Sequence, residues 1–221
     1  MKPDMPVRPE MKEILRYLGY HGSSPDPQIL SKIGRCTDAL LKAADFREIH
    51  RIFPLSAAGS EAFSIEGRQI QSHSLARNLS GCSSVCLFAA TIGLGFDRLL
   101  SRASTAGKIS DALILQAAGT ALVEAWCDRI CEDIKKEALA EGFYVRPRFS
   151  PGYGDFPLAW QTSLFSILEV SKHTGITLTE NLLMMPSKSV TALAGLSRRG
   201  ADCPANSCVS CDQAASCPYR R

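Results

Sequence analysis

The chain has no run of eighteen apolar residues, so no segment reads as a membrane-spanning helix, and its opening Met1-Lys2-Pro3-Asp4 is polar where a secretory leader would be basic and then apolar. This pattern predicts a cytoplasmic protein with no membrane partner. Strong charge of either sign is also missing: 25 Lys and Arg stand against 22 Asp and Glu, and no basic run carries interleaved aromatics. Nucleic acid is therefore not an expected partner. Gly93-Leu94-Gly95 follows an apolar run, but a third glycine, a following Lys-Ser/Thr and an acidic residue at ribose-binding distance are all absent. The segment reads as a strand-to-helix turn rather than a nucleotide cradle. Without a leader and at this length, nine cysteines read as thiols or metal ligands, not as a disulfide framework.

What is present is enough for one globular domain with a sizeable core: 221 residues, 45% apolar and 21% charged. Apolar periodicity predicts a first helix over 9–18 and a second that begins with Asp26 as N-cap and Pro27 at its first position, ending near Ala44. Strands are expected over 46–55 and, as a pair interrupted at Glu66-Gly67, over 62–70, with a short helix at 75–79 and a central strand at 83–90. Helices at 96–103 and, much longer, at 110–141 follow, and a packing helix carries Trp160, Leu164 and Leu168 on one face to Val170. Residues 182–185 and 189–196 read as a last hairpin about Pro186-Ser187-Lys188. The fold class is α+β, an antiparallel sheet with several helices including one long one.

Two places carry candidate chemistry. In Arg148-Phe149-Ser150-Pro151-Gly152-Tyr153, a planar cation, a rigid bend, an open backbone and a phenol lie within one short loop. Arg148 suits a carboxylate gripped by two parallel hydrogen bonds, Pro151 fixes φ, and Gly152 allows close backbone approach, so the loop suits a zwitterionic, flat-ringed ligand. An ordinary surface turn with one exposed Arg is the alternative. On the long helix, Thr120, Glu124, Cys127 and Cys131 share one face, and small neighbours leave Glu124 a recess, although a solvated glutamate fits the helix pattern as well. Two thiols alone do not complete a metal site, so Cys127 and Cys131 read as packing residues.

Beyond the loop the chain continues through Glu169-Val170-Ser171-Lys172-His173-Thr174-Gly175, Leu178-Thr179-Glu180 and Met185-Pro186, and closes with Ser189-Val190. From Arg148 to Ser197 this resembles, without insertion or deletion, the activation (reactivation) domain of cobalamin-dependent methionine synthase, with its R-x-x-P-G-Y, E-V-x-K-H-T-G, L-T-E and M-x-P-x-x-S-V blocks. Leu122-Val123-Glu124-Ala125 is similar to the family's L-x-E-A. The resemblance implies an S-adenosylmethionine (AdoMet) site at Glu124, Arg148, Pro151, Gly152 and Tyr153. It also implies two partners: a cobalamin-binding, methionine synthase-like methyltransferase, and a flavodoxin- or ferredoxin-type electron donor. The role implied is reductive methylation of cob(II)alamin on that partner, because the cobalamin-binding D-x-H-x-x-G is absent from this chain. His173 sits where a helix C-cap is expected and carries no catalytic role.

After Ser197 the sequence departs from the family, whose tyrosine pair is replaced by Cys203-Pro204. Cys203, Cys208, Cys211 and Cys217 place four thiolates in fifteen residues, enough for a tetrahedral zinc or an iron–sulfur cluster. The expected organisation is an AdoMet-binding part over 1–200 and a Cys-rich tail over 201–221. A non-catalytic AdoMet-binding scaffold and an iron–sulfur electron-delivery protein for a corrinoid enzyme stay open as alternatives.

Overall fold

The computed structural model describes residues 7–20, 25–57, 59 and 61–199. The described chain divides into two compact units, each assembled from separate stretches: the first runs up to His50 and adds Phe88–Cys131 and Gln161–Thr191. The second comprises Arg51–Leu87, Glu132–Trp160 and the chain from Ala192 onward.

Helix α1 (Met11–Tyr17) precedes α2 (Pro27–Ala43), whose start is as its sequence demands: the Asp26 carboxylate accepts the Gln28 N–H at 2.7 Å and Pro27 needs no donor there. Four strands form the main sheet in the order β1 (Arg47–Pro54), β5 (Ser84–Thr91), β9 (Ser189–Ser197), β6 (Tyr144–Val145). The end hydrogen bonds run Asp45 N–H to Ile92 C=O and Leu55 N–H to Ser83 C=O, so β1 and β5 are antiparallel. The same holds for β5 and β9, from Ser83 N–H to Leu196 C=O and Ile92 N–H to Lys188 C=O. β6 pairs antiparallel with β9. Burial explains the order. Val85 to Thr91 of β5 and Thr191 to Ser197 of β9 are buried without alternation, so both are interior strands covered on two faces, whereas β1 alternates irregularly with exposed residues at its edge.

A second sheet joins β2 (Ser56–Ala57), β3 (Ala62–Ile65) and β4 (Arg68–Gln71), all antiparallel, with Glu66-Gly67 as the β3–β4 turn that the sequence announces. Helices α3 (His73–Asn78), α4 (Gly95–Thr105) and the long α5 (Ile109–Ala140) follow, and α6 (Trp160–Leu168) and α7 (Val170–Thr174) are the last helices among the described residues. On α5, Ile114, Ala118, Leu122, Cys127, Ile130, Ile134 and Ala138 are buried at helical spacing. Gly95 is glycine because of a close approach: a Cβ there would stand 1.9 Å from the Ala43 carbonyl oxygen. The Gly-Leu-Gly segment is thus a strand-to-helix corner packed on the end of α2. No helix among the described residues is long and apolar enough to cross a membrane.

One expected element is corrected. Residues 182–185 and 189–196 do not pair as a hairpin; instead β8 (Met184–Met185) pairs with β7 (Thr177–Leu178), and β9 lies between β5 and β6. Leu182 adopts a left-handed backbone and closes a tight turn with Thr179, which directs the following residues back onto β7. Pro186 has no N–H to offer a ladder, and the Ser187 N–H and Lys188 carbonyl are taken by the Asp97 carboxylate and by Ile92 and Thr91.

Candidate functional site

The R-x-x-P-G-Y loop lies in the second unit and is fastened to β9 on its N-terminal side. Arg146 donates its N–H to Gly195 at 2.8 Å, and Phe149 exchanges both backbone hydrogen bonds with Leu193 at 2.8 and 2.9 Å. The side chain of Arg146 is buried and donates to the Ser80 carbonyl at 2.6 Å. Arg148 therefore falls between two fixed points and is half-buried. After it the chain turns on itself: Tyr153 N–H donates to Ser150, Gly152 N–H to Phe156, and Phe156 N–H to Tyr153. Pro151 is buried beneath the turn, Gly152 is exposed with φ 91°, and Tyr153 is 68% exposed. The loop presents a phenol and an open backbone outward while its apolar residues point in. Phe156, fully buried, packs its ring 6.3 Å from Phe149 and 5.7 Å from Trp160.

A clamp that sequence reading missed holds the far side of this loop. The Asp155 carboxylate accepts from the Ser72 hydroxyl at 2.7 Å, the His73 N–H at 2.6 Å and the Ser74 N–H at 3.0 Å, at the start of α3. Ser72 also caps α3 by accepting the Leu75 N–H at 3.1 Å. These donors, the Ser72 hydroxyl foremost, hold the Asp155 carboxyl well below the ordinary carboxylate range. Gly154 completes the clamp, with φ 55° and a site for a Cβ that would lie 2.7 Å from the Ser74 hydroxyl. Nothing in the sequence alone ties Ser72 to an acid eighty-three residues on.

In the first unit, Glu124 is half-buried on α5, one turn after Thr120. Thr120 donates to the Gln116 carbonyl at 3.0 Å and accepts from the Lys188 ammonium at 2.9 Å. Lys188, which sequence reading left in a turn, lies 5.0 Å from the Phe96 ring centroid, and its burial lowers its pKa against the opposing influence of Asp97. Cys127 is buried and Cys131 half-buried, as packing residues are.

The E-V-x-K-H-T-G segment, also in the first unit, is a corner. Glu169 takes a left-handed backbone, α7 runs one turn, and Gly175 ends it with φ 74°. The buried Thr174 hydroxyl donates to the Val170 carbonyl at 2.7 Å and accepts the Ile176 N–H at 3.2 Å. His173 Nε2 stands 3.9 Å from Glu169 Oε2, beyond hydrogen-bond reach. Cys203, Cys208, Cys211 and Cys217 lie outside the described residues; among the described residues no group of three or more His, Cys, Asp or Glu gathers to hold a metal.

The α+β architecture, with its antiparallel sheet and long α5, is that of a known class. It matches a solved crystal structure of the MetH reactivation domain bound to AdoHcy, at a TM-score of 0.63 and 20% identity, covering 86% of this chain and 77% of that one. Residues 74–201, more than half of the sequence, match the vitamin B12 dependent methionine synthase activation domain, and the chain belongs to that family.

Proposed function

We propose that this protein binds AdoMet and uses it, with one electron from a flavodoxin- or ferredoxin-type donor, to methylate cob(II)alamin carried by a partner corrinoid methyltransferase. The electron and the methyl cation together convert cob(II)alamin to methylcobalamin, and the sulfonium sulfur keeps the bonding pair as S-adenosylhomocysteine. The protein's contribution is positioning of the sulfonium methyl, which needs no general base. The observation that carries this reading is the form of the R-x-x-P-G-Y loop in a member of this family, anchored to β9 and to α3 while its exposed edge offers Gly152 and Tyr153. The AdoHcy named for the structural neighbour supports the choice of ligand.

In this proposal Arg148 pairs with the methionyl carboxylate by two parallel hydrogen bonds, Pro151 holds the turn, and the Gly152 backbone and Tyr153 phenol contact the remainder of the ligand. Glu124 is assigned an ammonium or ribose hydroxyl on the strength of the Leu122–Ala125 sequence resemblance. The proposal assigns ligand binding to residues 1–200 and treats 201–221 as a separate element in which Cys203, Cys208, Cys211 and Cys217 hold zinc or an iron–sulfur cluster. Incubation with a partner's cob(II)alamin, a reduced donor and AdoMet should produce the methylcobalamin spectrum and one S-adenosylhomocysteine per cobalt. Binding of AdoMet with no spectral change would replace this reading with that of a scaffold. Elemental analysis of anaerobically purified protein tests the tail: four freely alkylated thiols without metal would remove its site.

A further inference from the structure

A cleft of about 640 Å³ lies in the first unit, lined from α2 by Lys32, Arg35 and Cys36, from α4 by Leu99 and Arg102, and beyond them by the start of α5. Its volume falls in the range typical of small-ligand sites, roughly 300–1,000 Å³. Its charge is lopsided. Lys32, Arg35, Arg102 and Lys108 face a single lining carboxylate, Asp111, which is spent on Lys32 at 3.1 Å. Lys32 also donates to Ser110 at 2.8 Å, and Arg35 is steadied by the Ser31 hydroxyl at 2.9 Å. Arg35, Arg102 and Lys108 form no ion pair with a carboxylate among the described residues. A chain whose whole formal charge is +3 thus concentrates an equal excess in one recess. Like charges gathered around one cleft repel one another and favour an anion among them. The floor is apolar, with Leu99, Ala103 and Leu115, so a bare inorganic ion leaves it unfilled.

We propose that this cleft binds a small phosphorylated organic molecule of the nucleotide class, its phosphates among Arg35, Arg102 and Lys108 and its flat body on the Leu99–Leu115 floor. A phosphate group carries two or three charged oxygens in a fixed geometry that guanidinium forks match, and it tolerates a third cation where a carboxylate is saturated by one. Neither Arg148 nor Glu124, the side chains assigned to AdoMet above, lines this cleft.

The probes are ADP, pyrophosphate and adenosine, titrated calorimetrically into the full chain, with alkylation of Cys36 followed by peptide mass spectrometry as a second readout. Cys36 lines the cleft, so a bound ligand should shield it. ADP should bind at micromolar to millimolar strength and slow Cys36 alkylation, pyrophosphate should bind about tenfold more weakly for want of a body, and adenosine should not bind. The double variant Arg35→Gln/Arg102→Gln, exposed on its helices and so expected to fold, should lose at least tenfold in ADP affinity. Arg148→Ala should leave ADP binding unchanged, which separates this site from the AdoMet site. Absence of ADP binding at millimolar concentration would overturn the proposal. So would ADP binding that ignores the double variant, leaves Cys36 unprotected, or disappears with Arg148.

Discussion

Two blocks of the same family pattern, Arg148–Tyr153 and Glu169–Gly175, are built to opposite ends. The first is pinned by backbone bonds to β9 and by Asp155 to α3, and its turn leaves Gly152 and Tyr153 exposed. The second turns its groups on itself: Glu169 pairs with Lys172 at 3.2 Å, Thr174 closes two hydrogen bonds with its own neighbours, and Gly175 supplies the left-handed cap. Residues that stand in register within one motif therefore divide into those that present a surface and those that make a corner. Matching a motif does not by itself say which.

Substitutions can break this contrast. Thr174→Val removes a buried hydroxyl that both donates and accepts, which should cost about 1–3 kcal/mol of stability by thermal denaturation while leaving AdoMet affinity unchanged. A loss of affinity at unaltered stability would place the second block at the ligand instead. Asp155→Ala frees the first block from α3 and should weaken AdoMet binding several-fold. Its effect on stability has a defined pH dependence. Because the folded carboxyl is held far below its ordinary value, its contribution is complete above the unfolded pKa of about 4 and is lost as pH falls through the folded value. The deficit of the variant should therefore be constant near neutrality and narrow below about pH 4; a deficit that grows in acid would contradict the clamp. His173→Gln should be the mildest, within about 0.5 kcal/mol in stability and without effect on AdoMet binding, since His173 is exposed on a helix of a single turn.

Much of this was legible in the residues. Asp26-Pro27 announced α2, Glu66-Gly67 the β3–β4 turn, the unbroken apolar run the central β5, and the helix formers of α5 its length. What stayed hidden depends on long-range pairing. The partner of β9 was misread because proximity in sequence favoured β8, whereas Leu182 and Pro186 steer β8 away. Short β2 and β6 carry no period of their own and exist because a neighbouring strand offers its edge. The same holds for the site. Arg148, Gly152 and Tyr153 announce themselves as a local cluster, while Asp155 with Ser72, and Lys188 with Thr120, become partners only across eighty-three and sixty-eight residues of chain.

The most direct test is a calorimetric titration of AdoMet into the wild-type chain and into Arg148→Ala, with thermal unfolding of both as a control. Loss of a charge-assisted bidentate contact is worth about 1.5–3 kcal/mol, so the variant should bind roughly tenfold to a hundredfold more weakly while still folded at the titration temperature. Equal affinity in a folded Arg148→Ala protein would contradict the account, because it would remove the loop's one fixed cation from the ligand.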